Sequence, residues 1–486
     1  MKKYIALFLA LCIFCLPLGA CEGEKAEEDN KSRLMAEVQQ EQAEASAAAE
    51  KKANEGKDIL RVVTDIDCRS KMMGKPSQAS QGKRTFETIL EYFGGTPSGI
   101  EVELNILPQD QGGAYDAELT HIRTEIAAGE GPDVFLMSGF GGPYEGYGPA
   151  NTLFQSPEAA MKKGLFLPLD SYMENAQHMD FDKLDQKVME AGRNERGQVI
   201  LPMFYRLHQA CVFQKVEPEA LPKDWESAAE EEDERLLETF ALGLAATGFR
   251  EMAFGQIADW DEEELLLDKN AFYQRVQEAV DAYGRALPHL KTLNTMDYNE
   301  MTKEIYGQVD AWTNNVALGR GKYTSYVFRN ERGEINAPIE TWCAVNANTK
   351  HPEDAFFIVD CLLSKEFLGQ EAFWLKMDSG KDSHDQMTFF WLAGEDCVPV
   401  HTGLLSSPKG HYKYVDALTS AQRDALKEAR QNIGYAYFTS NIDREIDRTV
   451  QGLLEQLYDG GELTGEEVRK ACDKCYTTLK MMLAES

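Results

Sequence analysis

Two groups of residues in this chain are spaced so that they could act together. The first is Cys472-Asp473-Lys474-Cys475, a CxxC of the kind used for zinc or for dithiol exchange. A structural zinc site needs further ligands, and a reactive thiolate is favoured at a helix start. This pair has no companion CxxC and falls inside a helical pattern near the C-terminus, so it reads as structural. The eight histidines show no HxxxH or HExxH spacing, and no metal or other cofactor is expected. No GxSxG and no Cys/His pairing in a recognisable context appear, so catalysis is not expected either. The second group lies where apolar runs end. Asp65-Ile66-Asp67 follows Ile59–Thr64, and Ser138-Gly139-Phe140-Gly141-Gly142-Pro143 follows Val134–Met137. In open α/β sheets, ligands collect outside the carboxyl ends of the strands, where such polar loops lie.

Those loops need elements to position them. Ile59-Leu60-Arg61-Val62-Val63-Thr64 is a strand by its β-branched content, and Ile100–Ile106 alternates as a second. Phe86, Ile89, Leu90 and Phe93 share one face of a helix over 85–93. Ile122, Ile126 and the Ala127-Ala128 pair give helical spacing before Gly129 and Gly131, which permit a sharp exit. Val134–Met137 is then the apolar run of a strand buried on both faces. Strand, helix, strand, helix, strand predicts βαβ units and a parallel sheet.

At 486 residues, two domains are the prior. Hydrophobic content of 43% with 27% charged residues describes a globular protein. A net charge of −31, spread along the chain, argues against nucleic acid and against adsorption to anionic lipid. Lys2-Lys3 precede an apolar run from Tyr4 to Leu18, too short to span a membrane but of secretory length. It ends in Leu18-Gly19-Ala20-Cys21, which resembles a bacterial lipobox and implies a signal peptide over 1–20 with lipid on Cys21. Residues 21–58, rich in Glu, Ala, Gln and Lys, read as a tether to the membrane. Without Cys12, Cys15 and Cys21 the cysteines number seven, widely scattered, and no disulfide framework is evident.

Four segments in order carry a resemblance. Ala127-Ala128-Gly129-Glu130-Gly131-Pro132-Asp133-Val134 is the first, and Gly164-Leu165-Phe166-Leu167-Pro168-Leu169-Asp170 the second. The third is Leu221-Pro222-Lys223-Asp224-Trp225-Glu226-Ser227, with Asp224 as N-cap and Trp225 read as packing the helix entry. The fourth runs from Thr341-Trp342-Cys343 through Thr349-Lys350-His351-Pro352-Glu353-Asp354-Ala355, a strand followed by a helix with Pro in its first turn. Together they resemble the family 1 extracellular solute-binding proteins, the substrate-capturing lipoproteins of ABC importers. Thr341 stands where the family usually has Gly, and Tyr323-Thr324-Ser325-Tyr326 where it has small residues and Met.

The resemblance implies an α/β fold of two periplasmic-binding-protein-like lobes, each a mostly parallel sheet flanked by helices and joined by crossing hinge strands. The expected boundaries are 59–168 with 316–370 for the first lobe and 169–315 with 371–486 for the second. It also implies a monomer outside the cytoplasm that binds a sugar or oligosaccharide in the interlobe cleft and hands it to permease subunits. The cleft residues expected are Asp65, Asp67, Phe140, Tyr144, Tyr205, Trp312, Trp342 and Trp391, carboxylates and rings drawn from both halves. A surface glycosidase with two opposed carboxylates and a ligand-sensing lipoprotein of the same fold remain alternatives.

Overall fold

A computed structural model describes residues 58–66, 71–72, 75–76, 86, 90–108, 113–139, 152–212, 216–246, 248–293, 307–311, 324–368, 397–404 and 420–485. The chain opens as the sequence predicts. Strand β1 (Ile59–Thr64) lies parallel to β2 (Glu101–Ile106), with Ile59 beside Glu101 and Thr64 beside Ile106. Of the helix expected over 85–93, Phe86 and residues 90–92 are helical, and Phe86 and Leu90 are buried. Helix α1 (Gly113–Ala127) buries Tyr115, Leu119 and Ile122. The chain leaves it through Gly129 and Gly131, whose φ values of 78° and 106° favour glycine. Strand β3 (Val134–Ser138) then pairs parallel with β1.

Helix α2 (Pro157–Lys162) starts on a Ser156 cap with Pro at its first turn. Gln198-Val199-Ile200-Leu201-Pro202 and Ala210-Cys211-Val212-Phe213 read from sequence as two short strands, and the strands there are β4 (Leu201–Arg206) and β5 (His208–Val212). Gln198 instead belongs to a small hairpin, where its buried amide donates to the Met189 and Ile200 carbonyls. In α3 (Trp225–Ala229) Asp224 and Ser227 form a capping box, and the buried Trp225 donates its indole N–H to Glu278 at 2.7 Å. Trp225 is thus a packing residue, as its place at a helix entry suggests. Helices α4 (Glu234–Ala246), α5 (Phe249–Ala253) and α6 (Lys269–Leu293) follow.

Residues 236–310, with their Leu, Ala and aromatic stripes, read from sequence as helices, yet Gly307–Ala311 forms strand β6, because it pairs with β5. After β7 (Thr324–Val327) comes β8 (Ile335–Val345), buried at all eleven positions. Helix α7 (Pro352–Leu362) uses its acids internally: Asp360 accepts backbone N–H bonds from Gln177, His178 and Met179. The remaining elements are β9 (Cys397–Pro399), α8 (Ser420–Gln431), β10 (Ile433–Phe438), α9 (Asn441–Tyr458) and α10 (Gly465–Glu485). Cys472 and Cys475 are buried free thiols on α10, pushed up by desolvation to about 12 and about 11. That environment suits packing, not thiolate chemistry.

The strands form a seven-stranded mixed sheet, order β9-β4-β8-β3-β1-β2, with β10 also on β8. Strand β8 is antiparallel to β3 and β4 and parallel to β10. A second sheet, β6-β5-β7, is antiparallel throughout. The mostly parallel sheet expected of each lobe therefore holds only in part, around β1 and between β8 and β10, because β8 runs against β3 and β4. Two hydrophobic cores result. The first joins β1–β4, α7, β8, β9 and β10. The second joins α3–α6 to α9 and α10, with residues of β5 and β7. Residues 169–207, assigned from sequence to the second lobe, pack in the first core, because β4 takes the open edge of β8. Among the described residues the chain crosses between cores three times: from β4 to β5, from β7 to β8, and from β10 to α9.

Two glycines test how tightly β3 and β8 are joined. A Cβ at Gly139 would lie 1.8 Å from the Ile339 carbonyl oxygen, whereas one at Gly129 meets nothing within 4 Å. Gly129→Ala is expected to cost about 1 kcal/mol for its left-handed backbone. Gly139→Ala should cost several-fold more, since the backbone itself must shift. Urea titration of both variants checks this, and equal midpoints would contradict the close approach.

Candidate functional site

The strongest candidate lies at the carboxyl ends of β1 and β3, where the two cores meet. Asp65 leaves β1 and is only 1% exposed. One of its carboxylate oxygens accepts the Ser138 backbone N–H at 2.7 Å and the other the Ser138 hydroxyl at 3.1 Å. Around this pair a pocket is lined by Thr152, Phe154 and Trp342 of the first lobe and by Thr439 and Arg444 beyond the β10–α9 crossing. Arg444 sits in the first turn of α9, whose Ser440–Asp443 capping box fixes the helix start. Arg444 and Asp65 thus place a guanidinium and a carboxyl on the lining of one pocket.

Helix α2 holds the lobes beside this pocket. The Asn441 N–H donates to the Gln155 carbonyl at 2.9 Å, and the Phe438 N–H to Glu158 at 3.3 Å. Lys162 reaches the Asp261 carbonyl at 2.8 Å and the Glu263 carboxylate at 2.9 Å. Behind the pocket a second set of charges lines the crossings. Arg206, at the end of β4, lies between Glu340 at 3.5 Å and Glu251 at 3.8 Å. Arg250 pairs with Asp443, and its guanidinium lies 4.3 Å from the Tyr437 ring centroid.

Of the residues expected in the cleft, Asp65 and Trp342 line this pocket. Trp342 is only 2% exposed and packs against Phe154, Phe166 and Phe438, so it is a wall of the pocket and part of the core together. Tyr205 is elsewhere. It is fully buried in β4 and donates its hydroxyl to Asp185 at 3.3 Å, because β4 is covered on both faces. Asp67, Phe140, Tyr144, Trp312 and Trp391 lie outside the described residues, as does Cys21. Thr152, Thr439 and Arg444 were not singled out from sequence. An arginine in an amphipathic helix looks like an ordinary solvated residue, and only the meeting of lobes sets it in one pocket with Asp65. Among the described residues no group of three or more His, Cys, Asp and Glu is placed to hold a metal, and no helix is long and apolar enough to cross a membrane.

Burial next to the crossings has an electrostatic consequence. Desolvation lifts the carboxyl of Asp65 to about 6, of Asp447 to about 7 and of Glu158 to about 8. Each folded group therefore keeps a proton that the unfolded chain, with ordinary carboxyls, has already lost. Unfolding then releases protons, and stability falls as pH rises from roughly 4 to 8. The melting temperature is expected to be higher near pH 5.5 than near pH 8.5, and Glu158→Gln should flatten that slope. A rising profile over this window would contradict the desolvated carboxyls.

No family model matches the chain, and no curated protein matches it in sequence. Its fold does match solved structures. A periplasmic oligogalacturonide binding protein from Yersinia enterocolitica aligns with a TM-score of 0.53 at 14% identity, over 88% of this chain and 99% of that one. An extracellular solute-binding protein family 1 structure from Alicyclobacillus acidocaldarius aligns with a TM-score of 0.51 at 13% identity, over 88% and 98%. Each alignment covers most of this chain and nearly all of the other, and the chain has the two-lobe fold of the family 1 extracellular solute-binding proteins.

Proposed function

We propose that this chain is an extracytoplasmic, lipid-anchored solute-binding protein that captures a sugar or oligosaccharide between its lobes and delivers it to the permease of an ABC importer. The observation that carries the reading is the pocket itself, where Asp65 and Ser138 of one lobe share a lining with Thr439 and Arg444 across a crossing. Carboxylate, hydroxyl and guanidinium groups together suit a ligand rich in hydroxyls. Asp65 and Trp342 are nearly inaccessible here, so a ligand reaches them by hinge opening of the lobes. The fold shared with a protein described as binding oligogalacturonide favours a carbohydrate.

In this reading Asp65, Asp67, Phe140, Tyr144, Trp312 and Trp391 contact the solute, Trp342 backs the pocket, and Tyr205 supports the first core. Each ring stacked on a sugar contributes about 0.5–1.5 kcal/mol, by analogy with aromatic pairs. Two or three such contacts with hydrogen bonds reach micromolar affinity, about −8 kcal/mol. The protein acts as a monomeric binding protein, not an enzyme, and its charge of −31 disfavours nucleic acid as a partner.

Binding is tested on protein lacking residues 1–21, by thermal shift with saccharides, amino acids and short peptides. A saccharide should raise the melting temperature and be recovered intact. Shifts with peptides alone would remove the sugar assignment, and hydrolysed saccharide would favour a glycosidase. The anchor is tested separately with the full chain expressed in a bacterium. Cys21→Ser should abolish incorporation of labelled fatty acid and release the protein from the membrane fraction; unchanged labelling would refute lipidation at that residue.

A further inference from the structure

Among the described residues, Glu263 is the one residue other than glycine with a left-handed backbone, at φ 54°. It lies in the loop of a short hairpin, where Ala258 pairs with Leu265 and Asp259 with Glu264. One Asp259 carboxylate oxygen accepts the Asp261 and Glu262 N–H groups at 3.0 Å each, and so fixes the loop from within. Glycine adopts such a backbone freely, whereas a glutamate is strained in it. The turn alone would be better served by glycine.

The glutamate side chain supplies the reason. Its carboxylate meets the Lys162 ammonium at 2.9 Å, and the same ammonium donates to the Asp261 carbonyl at 2.8 Å. Lys162 ends α2, whose Ala160 and Met161 pack in the first core. The hairpin belongs to the second core through Ile257, Ala258 and Leu267. The two bonds therefore join the lobes. At the other end of α2, Pro157 lines the pocket, and Gln155 just before it accepts the Asn441 N–H beside the β10–α9 crossing. Lys162 stands about 8 Å further along the helix. Lobes that swing about their crossings separate more with distance from them, so opening breaks the Lys162 contact. Its side chains are 34% and 58% exposed, and water replaces the bonds readily once the lobes part. Neither residue lines the pocket.

We infer that Lys162 and Glu263 form an interlobe clasp, made when the lobes close and broken when they open, which favours the closed arrangement without touching the solute. This rests on the reading of capture between moving lobes and gives both residues a positioning role in it.

The test uses the full chain in mild detergent and compares wild type with Lys162→Met and Glu263→Gly. Hydrogen exchange followed by mass spectrometry reads the segment that holds the Asn441 N–H, whose acceptor lies on the other lobe. Without ligand at low salt, that segment should exchange about three- to fivefold faster in both variants, the worth of a half-exposed ion pair. Salt at about 0.5 M should bring wild type to the variants' rate and leave the variants unchanged. Calorimetric titration with maltotetraose, laminaribiose and trigalacturonic acid should show the same factor lost in affinity for whichever saccharide wild type binds. Unchanged exchange at Asn441 in both variants overturns the clasp. Faster exchange confined to residues 157–163 or 258–265 also overturns it, because the bonds would then serve only their own elements. Wild type that binds none of the three saccharides overturns the carbohydrate reading, and the exchange rates by themselves then uphold or overturn the clasp.

Discussion

The rest of the structure depends on the burial of one strand, β8. All eleven of its residues are inaccessible, and it hydrogen-bonds β3 and β10 along one edge and β4 along the other. A strand covered in this way has little freedom of register, since a slip by one residue would exchange its two faces. That register sets Trp342 beside Met137 and Thr341 beside Ser138, and so forms the wall and floor next to Asp65. Gly139 allows the chain after β3 to pass against Ile339 of the same strand. The pocket is therefore a product of strand pairing before it is a product of any polar contact.

The crossings carry the buried charge. Arg206 stands between Glu340 and Glu251, and Arg250 between Asp443 and the ring of Tyr437. Asn336 adds two bonds, from its amide to the Glu251 and Phe254 carbonyls. Charges taken out of water need partners, and removing one partner is costlier than never having had the pair. Arg206 with Glu251, and Asn336 with α5, join an element of the first core to one of the second, Arg206 with Glu340 ties β4 to β8, and Arg250 with Asp443 ties down the helix that begins after a crossing. These contacts lie next to the crossings between the two cores among the described residues. Desolvated carboxyls at Glu158 and Asp447 belong to this same region.

In the proposed binding mode, a solute that enters beside Asp65 touches both lobes at once. Ser138 and Thr152 come from one side, and Thr439 and Arg444 from the β10–α9 crossing; contacts shared in this way would couple occupancy to lobe closure in the proposed binding mode. The aromatic side chains of Phe154, Phe166, Trp342 and Phe438 form a continuous packed group behind the polar rim. This packed group backs the polar residues at the rim.

Local pattern alone made several elements legible. Strand β1 is β-branched, β3 is a short apolar run between glycines and a polar loop, and α7 has Pro and acids in its first turn. Each of these signals lies within a few residues, so no distant partner is needed to read it. The role of Trp225 was legible for the same reason, from its place beside an N-cap. Strand β6 was not, because Gly307-Gln308-Val309-Asp310-Ala311 has little intrinsic strand preference and is extended by pairing with β5. The lobe boundary was hidden likewise, because β4 joins the first core through β8, far away in the chain. Tyr205 looked like a cleft residue and became core because β4 is covered on both faces, whereas Arg444 looked like an ordinary helical arginine and came to line one pocket with Asp65. Sequence determined the local elements and the polar strand ends; which residues meet there was decided by tertiary structure, since pairing between distant strands leaves no mark in the spacing of either.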